Sequence, residues 1–589
     1  MCGIFGYIGK NTHAEKLVFE GLKSLEYRGY DSWGIAALDG SGQIKITKNI
    51  GKIGNANLDF VKKSNMALGH TRWATHGGVT VKNAHPHFDC NHHLALIHNG
   101  IIENYASLKS ELIKKGHHFI SETDTEVAVH LVEEYYKKQS FEQAVFSAFK
   151  RFEGLNAIIV MDHKTAVFAA CKNGSPLIIG RGDGENFLAS DAYAILPYTR
   201  RVYFMEDDEL VLMDSKKIKV ISLKDKSLKK VNFQKVDWSI KNEDKGDLPH
   251  YMLKEILDQK FMLDYVVSHQ DESIKKFSQL ISQSFGTYLV GCGTAAYACL
   301  AGTYIFSKVA KIHVNFSVAS EFGYLVDYLT PKSLVIGLSQ SGETIDLLDA
   351  LKKAKAKKAK IGSLVNVLGS TLYRFSDHKL LLNAGVERAV VSTKAFTAKL
   401  AHLLLIAYYL SGNYQEGKEI LKNTISVINN LLNDKQLLKI KDLSRRLSHQ
   451  EHIYIIGRGA SYPIALETAL KIKEASYIHA EGFAGGELKH GVIALVDKGT
   501  PCLAILPNDE TYFDTLSGVM EMKARGGYMI GIGFKNHEVF DEFIETGDCQ
   551  LASIIPNVVI GQLLGYYLAV EKGLDPDKPR NLAKSVTVK

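Results

Sequence analysis

Tyr288-Leu289-Val290-Gly291-Cys292-Gly293-Thr294 returns 166 residues later as Tyr454-Ile455-Ile456-Gly457-Arg458-Gly459-Ala460. Each copy is a short apolar run, a Gly-x-Gly turn and the start of a helical stretch. That reads as the first strand and turn of a parallel α/β unit. The same offset carries Glu321 onto Glu487 and brings the apolar run 335–338 near 503–506. Around these landmarks, amphipathic helical stretches alternate with compact apolar strands at 333–338, 502–506 and 527–532. Self-similarity at this period predicts two copies of one doubly wound domain, 251–430 and 431–575, followed by a tail, 576–589.

The first 235 residues have a different texture. Short β-branched runs at 34–38, 94–97, 156–161, 165–170 and 209–213 are separated by turn residues. Helical stretches are fewer, at 14–27, 105–115 and 124–136. The pattern predicts a mixed or antiparallel α+β domain over 1–235. The polar stretch 236–250, with Lys241-Asn242-Glu243-Asp244-Lys245-Gly246-Asp247, is the expected linker.

The 589 residues hold 71 Lys plus Arg against 64 Asp plus Glu, with 46% hydrophobic and 23% charged residues. These values exclude disorder, collagen and a coiled-coil rod. The basic residues are scattered and lack interleaved aromatics, so no nucleic-acid groove is expected. Seven cysteines without a CxxC pair point to a reducing, cytoplasmic setting, and no basic leader precedes an apolar stretch at the N-terminus. Two uncharged or apolar stretches, 281–307 and 554–570, invite a membrane reading. The glycine turn in the first, and Asn557 and Gln562 in the second, predict buried core instead.

Chemistry concentrates first at the N-terminus. Removal of Met1 would leave Cys2 with a nucleophilic sulfur and a free α-amine on one residue. That amine, with an ordinary pKa of about 8, can serve as general base directly or through a water. Alone, Cys2 reads as an incidental cysteine. Its company is more telling: Gly69-His70-Thr71-Arg72-Trp73-Ala74-Thr75-His76-Gly77, His85-Pro86-His87, His98-Asn99-Gly100-Ile101-Ile102-Glu103-Asn104 and Ser121-Glu122-Thr123-Asp124-Thr125-Glu126 follow in order. Both repeats and the tail Asp577-Lys578-Pro579-Arg580-Asn581-Leu582-Ala583-Lys584 complete the set. Over its whole length the chain resembles the glutamine–fructose-6-phosphate aminotransferase family. The resemblance implies an α+β N-terminal-nucleophile glutaminase domain (an αββα sandwich) followed by two doubly wound α/β sugar-isomerase (SIS) domains.

It also implies roles. Cys2 would attack the side-chain amide of glutamine, and Arg72, with its planar fork, would hold the α-carboxylate. Asp124 would hold the α-ammonium, and Asn99 with the backbone N–H of Gly100 would form the oxyanion hole. Trp73, Thr75 and His76 would line the glutamine site in a mobile lid. Without the resemblance, Arg72 and Asp124 read as an ordinary ion pair. His85, His87 and His98 offer no clear tetrahedral site, and the family needs no metal, so neither metal nor cofactor is expected.

In the first repeat, Ser339-Gln340-Ser341-Gly342-Glu343-Thr344 joins a strand to the helical run 345–356. Hydroxyls, a glycine and a helix N-terminus make an anion cradle at the carboxyl ends of the strands. A plain N-cap is the alternative. The second repeat has Pro507-Asn508-Asp509-Glu510 there and should not bind phosphate. The resemblance gives sugar-phosphate contacts to Ser339, Gln340, Ser341, Thr344 and the turn at Thr294. The chain departs from the family at Ala295, where a serine is usual, so a hydrogen bond from that position is missing.

Lys471 and Glu474 share a helix face three residues apart, which alone is a bland ion pair. By resemblance Glu474 is the base that moves a proton between C1 and C2 of the sugar, with Lys471 beside it. His490 would assist ring opening, and Lys584 would form an imine with the C2 carbonyl. The implied partners are glutamine and fructose 6-phosphate as substrates and a second copy of the chain in a homodimer, with no nucleic acid and no membrane. Ammonia protonates in neutral water, so a sheltered delivery is expected. Two alternatives stay open: a relative acting on another ketose phosphate, and a non-catalytic sugar-phosphate sensor. Retention of Cys2, Glu474 and Lys584 weighs against the sensor.

Overall fold

The computed structural model describes residues 2–236 and 245–587, except 55, 57, 58 and 62. The chain divides into two compact units, Met1–Lys241 with Ala583–Lys589, and Asn242–Leu582. Most of the expected linker, 237–244, lies outside the described residues. The expected tail 576–589 is divided: it belongs to the second unit up to Leu582 and to the first from Ala583.

In the first unit an eight-stranded and a seven-stranded antiparallel sheet stack face to face. The strand Gly3–Gly9 shows why its residues belong there. Ile4 and Ile8 enter the core between the sheets with Leu68, Ile97 and Ile159. Phe5 and Tyr7 alternate to the other face and pack under Val18 and Leu22 of the helix Ala14–Ser24. With both faces covered, the strand reads as continuously apolar. The strand Leu94–Gly100 does the same on the opposite sheet: Ala95 and Ile97 face inward. Leu94 and Leu96 pack under the helices Tyr105–Lys114, Asp124–Tyr136 and Phe141–Phe149. The layers are therefore helix, sheet, sheet, helix. The helix Phe141–Phe149 escapes a sequence reading because it is barely two turns and rich in aromatics. Its start is fixed by Ser140, whose side chain accepts from the Gln143 N–H.

The second unit holds two five-stranded parallel sheets of identical strand order, second–first–third–fourth–fifth. Tyr288 pairs with Asn315 and Val335, and Tyr454 pairs with Glu481 and Cys502. The 166-residue offset thus holds through the second strand and grows by one residue before the third. A Cβ on Gly291 would lie 2.8 Å from the Ala295 backbone, and one on Gly457 would lie 2.3 Å from the Ser461 carbonyl oxygen. Only glycine lets the helix start close on its strand. The two copies share one core, in which Leu289, Ala298 and Phe396 join Ile455, Ala469 and Ile560. The apolar helix Ile554–Glu571 is buried there. Gln562 is satisfied inside it: the side chain accepts from Gln259 at 2.8 Å and donates to the Thr393 carbonyl at 3.2 Å.

Two candidate active sites

Cys2 precedes the central strand of the eight-stranded sheet, where Gly3 pairs with Thr71. That register sets the Cys2 sulfur beside the next residues of the neighbouring strand, and the Trp73 N–H donates to Sγ at 3.2 Å. Burial pushes the thiol up, opposed by the Trp73 hydrogen bond and the Arg72 charge. Asn99, at the end of its own strand, donates from Nδ2 to the Cys2 carbonyl at 3.0 Å. The cause of that orientation is His70. Its Nε2 lies 2.9 Å from the His98 carbonyl and 3.1 Å from Asn99 Oδ1. A carbonyl only accepts, so Nε2 carries the proton, Asn99 Oδ1 accepts, and the amide N–H2 is turned toward Cys2. Burial drives the His70 pKa down to about 3, so the ring stays neutral. Gly100 follows with φ +134, where a Cβ would fall 2.1 Å from the Leu155 carbonyl oxygen. No other residue suits that backbone.

Arg72 donates to the carbonyls of His76, Gly77 and Gly78, so a substrate carboxylate must share or displace them. Asp124 is buried at the first turn of its helix and accepts from the Ile102 N–H at 2.8 Å. Trp73 packs edge-on to Tyr30, Thr75 is exposed, and the His76 ring meets Tyr105. Cys2, Asn99, Trp73 and Arg72 are therefore brought together. Sequence reasoning missed His70 and also Arg28, whose Nε lies 3.4 Å from the Cys2 carbonyl and whose guanidinium pairs with Asp191 at 3.2 Å. The signal for Arg28 was a charged Tyr-Arg-Gly-Tyr-Asp run breaking an apolar pattern at 27–31. Replacing His70 with leucine is expected to lower glutaminase kcat about 10- to 100-fold, because the Asn99 amide, the expected oxyanion donor, loses its fixed orientation. The KM for glutamine should change little, which steady-state kinetics checks.

In the second unit, Thr294 opens the helix after the first strand, and Ser339 ends the third strand. The adjacent carboxyl ends of these two strands form the switch point of the 2-1-3-4-5 order, where such sheets bind ligands. Ser339 Oγ accepts from the Gly342 N–H at 2.9 Å, and Ser341 Oγ from the Glu343 N–H at 3.2 Å. Glu343 in turn accepts from the Thr371 N–H. Thr344 occupies the N-cap position of the helix Ile345–Ala356 yet makes no capping bond with its side chain. The plain N-cap reading therefore fails. No hydrogen bond of the Gln340 side chain is found among the described residues.

Thr294 reaches across to the second copy. Its hydroxyl receives a hydrogen bond from Lys471 Nζ at 3.0 Å and donates to Glu467 Oε1 at 3.2 Å. Lys471 also contacts Glu474 at 2.7 Å and Glu467 at 3.4 Å. The side chains of Lys471 and Glu467 are fully buried, and that of Glu474 is 23% exposed. This is no surface ion pair. Burial pushes Glu467 up to about 7, against the pull of Lys471, and the neighbouring Glu474 adds to the rise. The Lys471 pKa stays raised despite burial, because two carboxylates hold its proton. Glu467 was missed, although it lies one turn before Lys471 on the same face. Ala295 is buried in the core at 8% exposure. His490 is exposed at the end of the short helix Glu487–His490 and gains no hydrogen bond or ion pair among the described residues. Lys584 is half-buried and groups with the first unit, whereas Glu467, Lys471 and Glu474 belong to the second.

Comparison with known proteins agrees with both halves. A glutamine amidotransferase domain matches residues 39–232, and an SIS domain matches 280–408 and 446–543. Glutamine–fructose-6-phosphate aminotransferase [isomerizing] from Pyrococcus horikoshii is 41% identical over 601 residues, covering 100% of both chains. The protein of that name from Thermus thermophilus is 39% identical over 611 residues with the same coverage. The solved C-terminal domain of the Francisella tularensis glucosamine-fructose-6-phosphate aminotransferase is 36% identical, with a TM-score of 0.53, and covers 57% of this chain and 100% of that one. Identity sustained from end to end, across a thiol site in one unit and a duplicated sugar-isomerase fold in the other, assigns the sequence: this chain belongs to the glutamine–fructose-6-phosphate aminotransferase [isomerizing] family.

Proposed function

We infer that the chain hydrolyses glutamine and transfers the ammonia to fructose 6-phosphate with isomerisation, giving glucosamine 6-phosphate and glutamate. The observation that carries this reading is Cys2, its sulfur beside Trp73 and near the Arg72 charge and its carbonyl held by Asn99, in a chain that also bears the Ser339–Thr344 cradle. Cys2 attacks the glutamine amide, Asn99 and the Gly100 N–H receive the developing oxyanion, and ammonia leaves as a thioester forms. Water then releases glutamate. Arg72 and Asp124 hold the two ends of the amino-acid head, with Trp73, Thr75 and His76 closing over it.

At the second site, Ser339, Gln340, Ser341 and Thr344 hold the phosphate. Lys584 forms an imine with the C2 carbonyl, ammonia displaces it, and His490 assists ring opening. Glu474 then takes a proton from C1 and returns one to C2, which converts the ketimine to the aldose. Glu474 is suited to this because, unlike Lys471 and Glu467, it reaches solvent. The working form is a homodimer, and ammonia passes without release to bulk water. Product analysis with purified protein, glutamine and fructose 6-phosphate tests the reading, and formation of no glucosamine 6-phosphate would overturn it. Ser339→Ala is expected to raise the KM for fructose 6-phosphate about tenfold, the worth of one lost hydrogen bond at the turn. Its glutaminase activity without sugar should be unchanged.

A further inference from the structure

We propose that the first unit binds one zinc ion at Cys90, His117, His130 and Glu133, a site apart from both active sites. These four residues come from three segments. Cys90 lies in the turn between the strands His87–Phe88 and Leu94–Gly100, and His117 follows the helix Tyr105–Lys114. His130 and Glu133 lie one turn apart on the helix Asp124–Tyr136. One donor atom from each converges, all within 4.8 Å of one another.

Four of the distances come within about 0.2 Å of those in a tetrahedral shell. Cys90 Sγ is 3.5 Å from Nδ1 of both His117 and His130. Glu133 Oε2 is 3.1 Å from His117 Nδ1 and 3.2 Å from His130 Nδ1. Around tetrahedral zinc, with bonds of about 2.0–2.3 Å, neighbouring ligand atoms stand about 3.3–3.6 Å apart. Hydrogen bonding alone accounts for the cluster poorly. The single oxygen Glu133 Oε2 faces two imidazole nitrogens and the Cys90 N–H, with a sulfur beside them.

The surroundings suit a metal as well. His117 Nε2 lies 3.2 Å from Glu134 Oε2. That partner keeps the proton on Nε2 and leaves the Nδ1 lone pair aimed at the cluster, as in carboxylate–histidine–zinc arrangements. His117, His130 and Glu133 are buried, and Cys90 is exposed, which gives an entry path. A thiolate with two imidazoles and a carboxylate selects zinc over calcium or magnesium, and four protein ligands make the site structural rather than catalytic. The ion would tie the turn before the Asn99 strand to the helix that begins with Asp124. The sequence hides this site because its ligands stand 27, 13 and 3 residues apart, with no CxxC or HxxxH signature.

The test uses the full chain carrying Cys2→Ala, since an N-terminal cysteine can itself chelate metal. After loading with zinc and desalting, that chain should retain about one zinc per molecule. Loaded with cobalt instead, it should show the intense visible bands of tetrahedral cobalt and a sulfur-to-cobalt charge-transfer band. Adding Cys90→Ser should abolish the charge-transfer band, and Glu133→Gln should lose the metal by a route that spares the thiol. Glu134→Gln should weaken zinc about 10- to 100-fold through His117 alone. Zinc should raise Tm in the Cys2→Ala chain but not in the Cys90→Ser chain. Negligible retained zinc in the Cys2→Ala chain, or retention unaffected by both Cys90→Ser and Glu133→Gln, overturns the proposal.

Discussion

Cys2→Ala is expected to abolish glutamine-dependent synthesis, by at least about 10³-fold, because no other group can form the thioester. The sulfur sits at the start of a buried strand with a backbone N–H donated to it, so no second thiol can substitute by moving. The outcome with ammonium salts in place of glutamine should be different. The Ser339–Thr344 cradle and the Lys471 group lie in the other unit and do not depend on residue 2. Synthesis from ammonium and fructose 6-phosphate should therefore survive at elevated pH, where free ammonia is available. A mutant equally dead with both nitrogen sources would show that Cys2 is needed for folding rather than for chemistry.

Lys471→Met is expected to be the most damaging substitution in the second unit. Its ammonium faces Glu467, Glu474 and the Thr294 hydroxyl from a fully buried position. Removing one partner of such a group costs about 3–5 kcal/mol. The cost should depend on pH, and its sign follows from Glu467. That carboxyl already sits near 7 when folded, against 4.5 as its ordinary value. Without the lysine it rises further. A raised carboxyl binds more protons folded than unfolded, so stability falls as pH climbs through that window. The variant should thus be nearer the parent at pH 5 than at pH 8 in urea unfolding. Isomerisation should fall about 10²-fold or more at either pH, because Glu474 loses the cation that positions it. Equal unfolding midpoints for variant and parent at pH 8 would refute the buried-triad account.

Much of this was legible in the sequence for physical reasons. The repeat at Tyr288 and Tyr454 survived because Gly291 and Gly457 are each forced by a close backbone approach. The helix at Asp124 and the strand at Glu209 were read with the observed bounds, since their patterns end at turn residues. Asn99 was named from its motif, but the reason it faces Cys2 is a ring 29 residues away, and tautomers leave no trace in spacing. The place of Thr294 at the sugar phosphate follows from the family resemblance alone, and the bond its hydroxyl receives from Lys471, 177 residues on, is invisible to spacing. Glu467 was passed over because burial, not periodicity, distinguishes it from a solvated neighbour.

That last link between the copies limits how the protein can be engineered. Thr294 comes from one copy, Lys471 and Glu467 from the other, and one greasy interior serves both. A gene cut after the first copy would encode a half with its inner wall bared to water, and such a fragment should clump on expression rather than serve as a portable sugar-binding module.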